Sequence, residues 1–229
     1  MDMNNLQIYW ERLIEFTPDI IESLGQTGIM MGSAMVAAIV LGLPLGTVLF
    51  LTNEGNPRAN KGSYQILSTL VNIIRSFPFL LLVVSMQPII RAVYGRATGD
   101  PVAASFPMMV IAIALYARFV EQSLMDVDRG VLETADAMGA TTWQLVTKFL
   151  FVEAKSSLII GYTTAFVSYI SYSTIMGVVG GGGIGDFAIR YGYQRYETDM
   201  MYTAIIIIIV IVQLCQWFGF KLARKVDHR

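Results

Sequence analysis

The sequence predicts an all-α integral membrane protein with five transmembrane helices, because charged residues are scarce and long apolar runs recur. Of the 229 residues, 55% are hydrophobic and 14% are charged, whereas soluble proteins average about 25% charged residues. The mean hydropathy of +0.57 agrees with this. A helix that crosses a bilayer needs about 20 mostly apolar residues, and five stretches of the chain supply such helices. We therefore expect membrane lipid around most of the protein.

The charge balance and the rare residue types exclude several classes of function. Lys and Arg total 16 against 17 for Asp and Glu, so the basic excess that attracts nucleic acid is missing and no nucleic-acid partner is expected. A single cysteine excludes an intramolecular disulfide. With a single histidine as well, zinc ligation and histidine-based catalysis are not expected. The sequence therefore predicts neither a metal site nor a catalytic residue.

The first two predicted spans precede residue 91. Gly28–Leu51 carries no charge and forms the first span. Within it, Gly42-Leu43-Pro44-Leu45-Gly46 places small residues four apart, which predicts close packing against another helix. Ser76–Ile90 is charge-free but short, and it predicts the second span by joining Ile66–Ile74, with Arg75 between them, in one long helix.

Three further charge-free runs predict the third, fourth and fifth spans: Pro101–Ala117, Ser156–Gly185 and Met200–Phe220. The fourth ends in the glycine tract Gly180–Gly183. No Gly-Lys-Ser/Thr follows that tract, so it is not a phosphate loop and ATP binding by this chain is not expected. The tract is interpreted either as a site of close packing or a mobile element near the outer mouth, or as a simple helix exit and re-entrant turn.

Residues 1–22 are interpreted as a separate amphipathic segment, and residues 222–229 as a basic tail. The N-terminal segment has one base, Arg12, and several acids, whereas a secretory signal starts with positive charge. It is therefore expected either to lie at the membrane interface or to form a solvated lead-in to the first span.

Basic residues near the span ends predict the orientation. Five lie on the side of the N-terminus and ten on the other side. Because Lys and Arg accumulate on the cytoplasmic side, we expect the N-terminus outside and the C-terminus in the cytoplasm.

The connection between the third and fourth spans, residues 118–155, is long enough to require structure of its own. Val131, Leu132, Ala135 and Met138 recur at helical spacing, and Gly139 follows where a helix would stop. Thr141 and Gln144 then fit a capping box that opens a second helix. The apolar stripe is expected to be exposed for a partner or to rest on the bilayer. Arg118 and Glu121 predict a surface ion pair.

Five residues of the fourth span share one helix face. At about 100° per residue they lie within about 40° of one direction. Polar groups at membrane depth normally face a bundle interior or a cavity, and aromatic rings suit a soft apolar side chain. This translocation stripe is expected either to line a pathway or to pack against neighbouring helices. Its members are Tyr162, Phe166, Tyr169, Ser173 and Met176.

Glu133-Thr134-Ala135, followed after three residues by Gly139, resembles the EAA loop of the permeases of binding-protein-dependent ABC importers. The family's glutamate, alanine and glycine correspond to Glu133, Ala135 and Gly139. The chain departs from the family pattern at Thr134 and has Val152 in place of a proline. The resemblance implies that residues 118–155, called the coupling segment from here on, dock onto an ATPase subunit through Glu133, Thr134, Ala135, Met138 and Gly139.

Two further stretches resemble the methionine-importer branch of these permeases. They are Gly180-Gly181-Gly182-Gly183-Ile184-Gly185-Asp186 with Tyr191-Gly192-Tyr193, and Arg75-Ser76-Phe77-Pro78-Phe79-Leu80. The resemblance implies the type I ABC importer permease fold over residues 23–221 and a location in the inner membrane of a prokaryote. It also implies a homodimer, two ATP-binding subunits that hold ATP and Mg, and an extracytoplasmic substrate-binding protein.

Two rival functions stay open from the residues alone. An autonomous channel or secondary transporter would need buried acids for coupling or internal repeats, and the charge-free runs contain no acids. An intramembrane enzyme would need a nucleophile next to a base, and no convincing pair occurs in the runs.

Overall fold

The computed structural model describes residues 3–227, with side chains from Gln7 onward. Helices dominate, and no β-strand occurs within that range. The elements in order are α1 (Met3–Ala37), a π-helical stretch (Ala38–Gly42), α2 (Leu43–Thr52), α3 (Lys61–Ser76), α4 (Phe79–Tyr94), α5 (Pro101–Met125), α6 (Arg129–Ala137), α7 (Thr142–Gln144), a π-helical stretch (Leu145–Leu150), α8 (Phe151–Glu153), α9 (Lys155–Val178), α10 (Ile184–Phe187), a π-helical stretch (Ala188–Gln194) and α11 (Thr198–Val226). Met1, Asp2, His228 and Arg229, which belong to the predicted terminal segments, lie outside the described residues.

Four continuous helices in the described chain are long and apolar enough to cross a membrane: Gln7–Thr52, Pro101–Met125, Lys155–Val178 and Thr198–Val226. The pair α3 and α4 adds a fifth span if the two helices count as one broken crossing. The predicted all-helical membrane fold is therefore confirmed, with four to five apolar spans. The direction of the termini stays a prediction.

Two predicted spans differ from the observed helices. The stretch Ile66–Ile90 is not one helix, because Phe77 and Pro78 have extended backbone, with ψ of 129° and 125°. Proline lacks an N–H and disfavours helical geometry in the residue before it. The fourth helix ends at Val178 rather than continuing to Gly185, since Gly180, Gly182 and Gly183 have positive φ.

One compact unit comprises the described residues of Met1–Ser33 together with Pro78–Met108 and Ser168–Leu214. One apolar cluster of this unit lies where α1 meets α10, the following π-helical stretch and the start of α11. The buried members are Ile20, Ile184, Phe187, Tyr191, Met200 and Ala204. Helix α1 runs past Glu22 without a break, so the predicted N-terminal segment is the first part of a longer helix.

The second compact unit comprises Ala34–Phe77, Met109–Val167 and the described residues of Cys215–Arg229. Leu49, Val71, Ala114 and Ala117 form a buried cluster between α2, α3 and α5. A Cβ added at Gly46 would clash with the carbonyl of Ala117. The close packing that the small-residue pattern predicts is therefore confirmed.

Candidate functional site

The coupling segment begins in the last turns of α5 and continues through α6. Asp128 caps α6, because its carboxylate accepts a hydrogen bond of 2.7 Å from the N–H of Gly130. Met138 ends the helical geometry, and Gly139 follows with a φ of +67°, a conformation that glycine adopts without strain. The predicted short helix with a glycine stop is confirmed.

The second helix of the coupling segment starts at the predicted capping box. The Thr141 hydroxyl accepts from the N–H of Gln144, and the Gln144 side chain accepts from the N–H of Thr141 at 2.9 Å. The π-helical stretch Leu145–Leu150 follows directly. Arg58, in the loop between α2 and α3, donates from Nε to the Thr142 hydroxyl at 2.8 Å. This loop therefore supports the start of α7.

The side chains of the coupling segment are exposed to different degrees. Met138 and Trp143 are 63% and 76% exposed, and Glu133 and Thr134 are also exposed. Ala135 is fully buried, and Val131 and Leu132 are half-buried. The prediction of an exposed apolar stripe is therefore wrong at Ala135 and holds in full only at Met138. The Ala135 carbonyl accepts from the N–H of Ala140 at 3.0 Å, and the Asp136 carbonyl accepts from the N–H of Gly139 at 2.9 Å, which is the bond pattern of a helix that ends at a left-handed glycine.

A cavity of about 520 Å³ lies beside α6. Its walls come from the loop between α2 and α3, the end of α5, and α6. Three carboxylates, those of Glu54, Glu133 and Asp136, line it together with one base, Arg129. The cavity therefore places an acidic surface beside α6.

The predicted ion pair of Arg118 and Glu121 exists, but it is not at the surface. The two side chains are 17% and 4% exposed. The Tyr64 hydroxyl donates to the second oxygen of Glu121 at 3.1 Å. Because a buried carboxylate costs free energy unless it is paired and hydrogen-bonded, these contacts are what allow Glu121 to lie inside the unit.

Arg118 also ties α5 to α3. Its second terminal nitrogen donates to the Ser68 carbonyl at 3.0 Å, to the Ser68 hydroxyl at 2.6 Å and to the Asn72 side-chain oxygen at 2.9 Å. Tyr64, Ser68 and Asn72 are four residues apart, so they share one face of α3. The Arg118 network therefore anchors the helix from which the coupling segment emerges.

The structure describes the translocation stripe in two parts, since the boundary between the compact units falls after Val167. In one unit, the Tyr162 hydroxyl donates to the carbonyl of Met35 at 3.0 Å, and the Phe166 side chain is half-buried. In the other, Tyr169, Ser173 and Met176 are buried. The Ser173 hydroxyl donates to the Ile170 carbonyl at 2.8 Å.

The segment after α9, residues 180–203, is called the glycine segment here. Its short helix α10 has Gly183 at the N-terminal cap, with φ of 92° and no side chain to cap the helix. Two residues of α1 supply that cap. The Gln26 side-chain oxygen accepts from the N–H of Gly183 at 2.7 Å, and the Thr27 hydroxyl accepts from the N–H of Ile184 at 2.9 Å.

Residues nearer the N-terminus of α1 hold the later part of the glycine segment through polar contacts. Asp19 accepts from the Tyr191 hydroxyl at 3.2 Å, and Arg12 pairs with Glu197 and, at 2.9 Å, with Asp199. The sequence contained no short-range signal for these contacts, because their partners are more than 150 residues apart. For the Arg118 network a signal existed, namely a charged residue at the end of an apolar run.

No group of three or more His, Cys, Asp or Glu side chains that could hold a metal occurs among residues 3–227. The absence of a metal site in the whole chain stays a prediction.

Comparison with known proteins identifies a family. The profile described as "Binding-protein-dependent transport system inner membrane component" matches residues 42–228. A protein of Pasteurella multocida, described as "Probable D-methionine transport system permease protein MetI", is 42% identical over 217 residues, which are 93% of this chain and 100% of the relative. "Methionine import system permease protein MetP" of Bacillus subtilis is 36% identical over 183 residues, 80% of this chain and 82% of the relative.

Solved structures agree. A chain from "Inward facing conformations of the MetNI methionine ABC transporter" superposes with a TM-score of 0.90 at 34% identity, over 93% of this chain and 99% of that chain. A chain from "Crystal structure of an amino acid ABC transporter with histidines" superposes with a TM-score of 0.76 at 17% identity, over 93% of this chain and 97% of that one, and this shows a shared fold.

Proposed function

Because this chain belongs to the family of binding-protein-dependent transport system inner membrane components, we propose that it imports methionine as one of two permease subunits driven by ATPase partners. It is a multi-pass membrane permease, the translocation subunit of an ABC importer. The observation that carries the coupling part of the proposal is the coupling segment, which presents α6 beside an acidic cavity and exposes the apolar side chains of Met138 and Trp143.

The coupling segment transmits force from the ATPase. Glu133, Thr134, Met138 and Gly139 are exposed on or just after α6, where a partner can reach them, and Ala135 is buried beneath and fixes the helix. Large exposed apolar side chains are typical of a protein contact. The Arg118 network supports this role, because it joins α5, which leads into α6, to the neighbouring helix α3.

The assembly consists of two copies of this chain, two ATPase subunits and an extracytoplasmic binding protein. The ATPase subunits hold ATP and Mg, and this chain binds neither. Closure of the ATPase pair tilts the coupling segments on the cytoplasmic side and opens the pathway outward; hydrolysis restores the inward-facing state. The C-terminus lies on the same side as the coupling segment, and the N-terminus lies outside.

The substrate is methionine, in one or both enantiomeric forms. The names of the relatives from Pasteurella multocida and Bacillus subtilis support this assignment. The composition of the translocation stripe supports it chemically, because aromatic rings and the Met176 thioether interact favourably with a thioether side chain.

The first experiment measures the intact mass of the complex captured through this chain from its native membrane after mild solubilisation. We expect two copies of the 25.4 kDa chain with two copies of a nucleotide-binding subunit. Recovery of the permease without any ATPase would overturn docking through the coupling segment and would favour an autonomous channel or secondary transporter.

The second experiment measures ATP-dependent uptake of methionine in proteoliposomes that contain the complex and its binding protein. Tyr169→Phe, Ser173→Ala and Met176→Ala are expected to change the kinetics of uptake while the amount of assembled complex stays constant. Unchanged kinetics in all three variants would show that the stripe serves helix packing instead of the pathway.

A further inference from the structure

Two side chains of α1, those of Gln26 and Thr27, cap α10. We infer that they are positioning residues: by holding α10 in place, they also hold the end of α9, the helix that carries the translocation stripe. The expected effect on transport rests on the proposed function, whereas the cap of α10 does not. The first turn of a helix leaves N–H groups without partners inside the helix. At α10 those of Gly183 and Ile184 are buried, so a lost acceptor cannot be replaced by bulk water.

The residue at the cap explains why the acceptors come from another helix. Gly183 has a φ of 92°, which favours glycine, and glycine offers no side-chain oxygen to its own helix. Thr27 accepts from the N–H of Ile184 at 2.9 Å and Gln26 accepts from that of Gly183 at 2.7 Å. The Gln26 amide is itself oriented, because it donates to Glu22 at 3.0 Å.

Helix α10 lies in direct backbone contact with the end of α9. A Cβ on Gly177 would clash with the backbone of Asp186, and a Cβ on Gly185 would clash with the backbone of Thr174. These contacts pack the two backbones directly against each other, so a shift of α10 changes the packing at the end of α9. The cap from α1 therefore acts on α9 as well.

The contact between α10 and α9 lies next to Met176, a member of the translocation stripe. This residue lies one position before Gly177, is 3% exposed, and accepts through its carbonyl from the N–H of Gly181 at 2.8 Å. Loss of the cap allows α10 to loosen, and with it the turn of α9 that carries Ser173 and Met176. We expect less substrate to be moved per ATP hydrolysed.

The test compares Thr27→Val, which removes the acceptor, with Thr27→Ser, which keeps it. Gln26→Met removes the second acceptor at similar length. The matched control is Thr17→Val, because the Thr17 hydroxyl donates to the Leu13 carbonyl within α1 and caps nothing. Each variant is made in the full chain and purified as the complex with its ATPase.

The first readout is amide hydrogen exchange over residues 183–188, which does not depend on transport. Thr27→Val and Gln26→Met are each expected to speed exchange about fivefold, the effect of one lost hydrogen bond, whereas Thr27→Ser and Thr17→Val leave it near that of the unmodified protein. Unchanged exchange in Thr27→Val and Gln26→Met would overturn the cap.

The second readout is methionine uptake per ATP hydrolysed, at a measured amount of complex. Thr27→Val is expected to lower the ratio severalfold through kcat, and Thr27→Ser to restore it. Faster exchange with an unchanged ratio would overturn the positioning role. If the unmodified complex itself takes up no methionine, the proposed function fails, and hydrogen exchange still decides whether the α1 cap exists.

Discussion

The coupling segment and the glycine segment are built from similar parts but are stabilised in different ways. Each contains a short helix that runs directly into a π-helical stretch, Leu145–Leu150 in one and Ala188–Gln194 in the other. The short helix of the coupling segment is capped by Thr141, three residues from its partner Gln144. The short helix of the glycine segment is capped by side chains 157 residues away.

The two segments also differ in what they expose. Met138 and Trp143 of the coupling segment lie largely in the open, whereas Ile184 and Phe187 of the glycine segment are buried. The helix caps of the first segment therefore come from nearby residues, and its large side chains stay exposed. The second forms only in contact with α1 and α9, so its residues serve the fold of the permease itself.

The largest loss of stability is expected at Arg118, whose contacts hold the start of the coupling segment against α3. Arg118→Met leaves the buried Glu121 carboxylate without its countercharge, and we expect the free energy of unfolding to fall by about 4 kcal/mol. Denaturant unfolding of the solubilised permease measures this change. The double variant Arg118→Met with Glu121→Leu removes both charges and should recover most of the loss. Equal losses in the two variants would contradict an essential charge pairing.

A second prediction concerns the glycine segment. Gly177→Ala places a methyl group against the backbone of Asp186, and we expect a loss of stability of about 3 kcal/mol from overpacking. Gly28→Ala is the matched control, because its Cβ would meet nothing within 4 Å, and alanine favours a helix by about 1 kcal/mol over glycine. Thermal unfolding measures both. Similar melting temperatures would show that α10 and α9 can separate without cost.

Trp143→Ala sharpens the difference between the segments, since it should affect partner binding and leave the fold unchanged. An exposed aromatic anchor in a protein interface contributes about 2 kcal/mol, so we expect the affinity for the ATPase subunit to fall about 30-fold with an unchanged melting temperature. Trp217→Ala in α11, which is also exposed, is the control. A lower melting temperature in Trp143→Ala, but not in Trp217→Ala, would show that the Trp143 side chain stabilises the permease itself.

The smallest effect is expected at Arg12. Its side chain and those of Glu197 and Asp199 are each about a third exposed, at 31%, 33% and 27%, so solvent screens the pairs. Arg12→Met is expected to lower the free energy of unfolding by less than about 1 kcal/mol, and added salt should reduce the difference. A larger, salt-independent loss would mean that Arg12 acts mainly by packing.

The sequence was most informative where structure depends on neighbours along the chain. Gly139 and the pair Thr141 and Gln144 predicted where the helices of the coupling segment end and begin, because caps and stops act over a few residues. Apolar runs predicted the spans for the same reason, although Pro78 divided one of them. Gly46 even indicated a close helix contact, but not that the contacted residue is Ala117.

The tertiary structure alone decided which distant residues meet. The sequence marked Arg118 and Glu121 as a pair, but it gave no indication that Ser68 and Asn72 would accept hydrogen bonds from Arg118. Gln26 and Thr27 lie among ordinary helix residues, and their role appears only when α10 brings two uncapped N–H groups to them. Local propensity and hydropathy act through adjacent residues, whereas a buried polar group accepts any partner that the fold brings within about 3 Å.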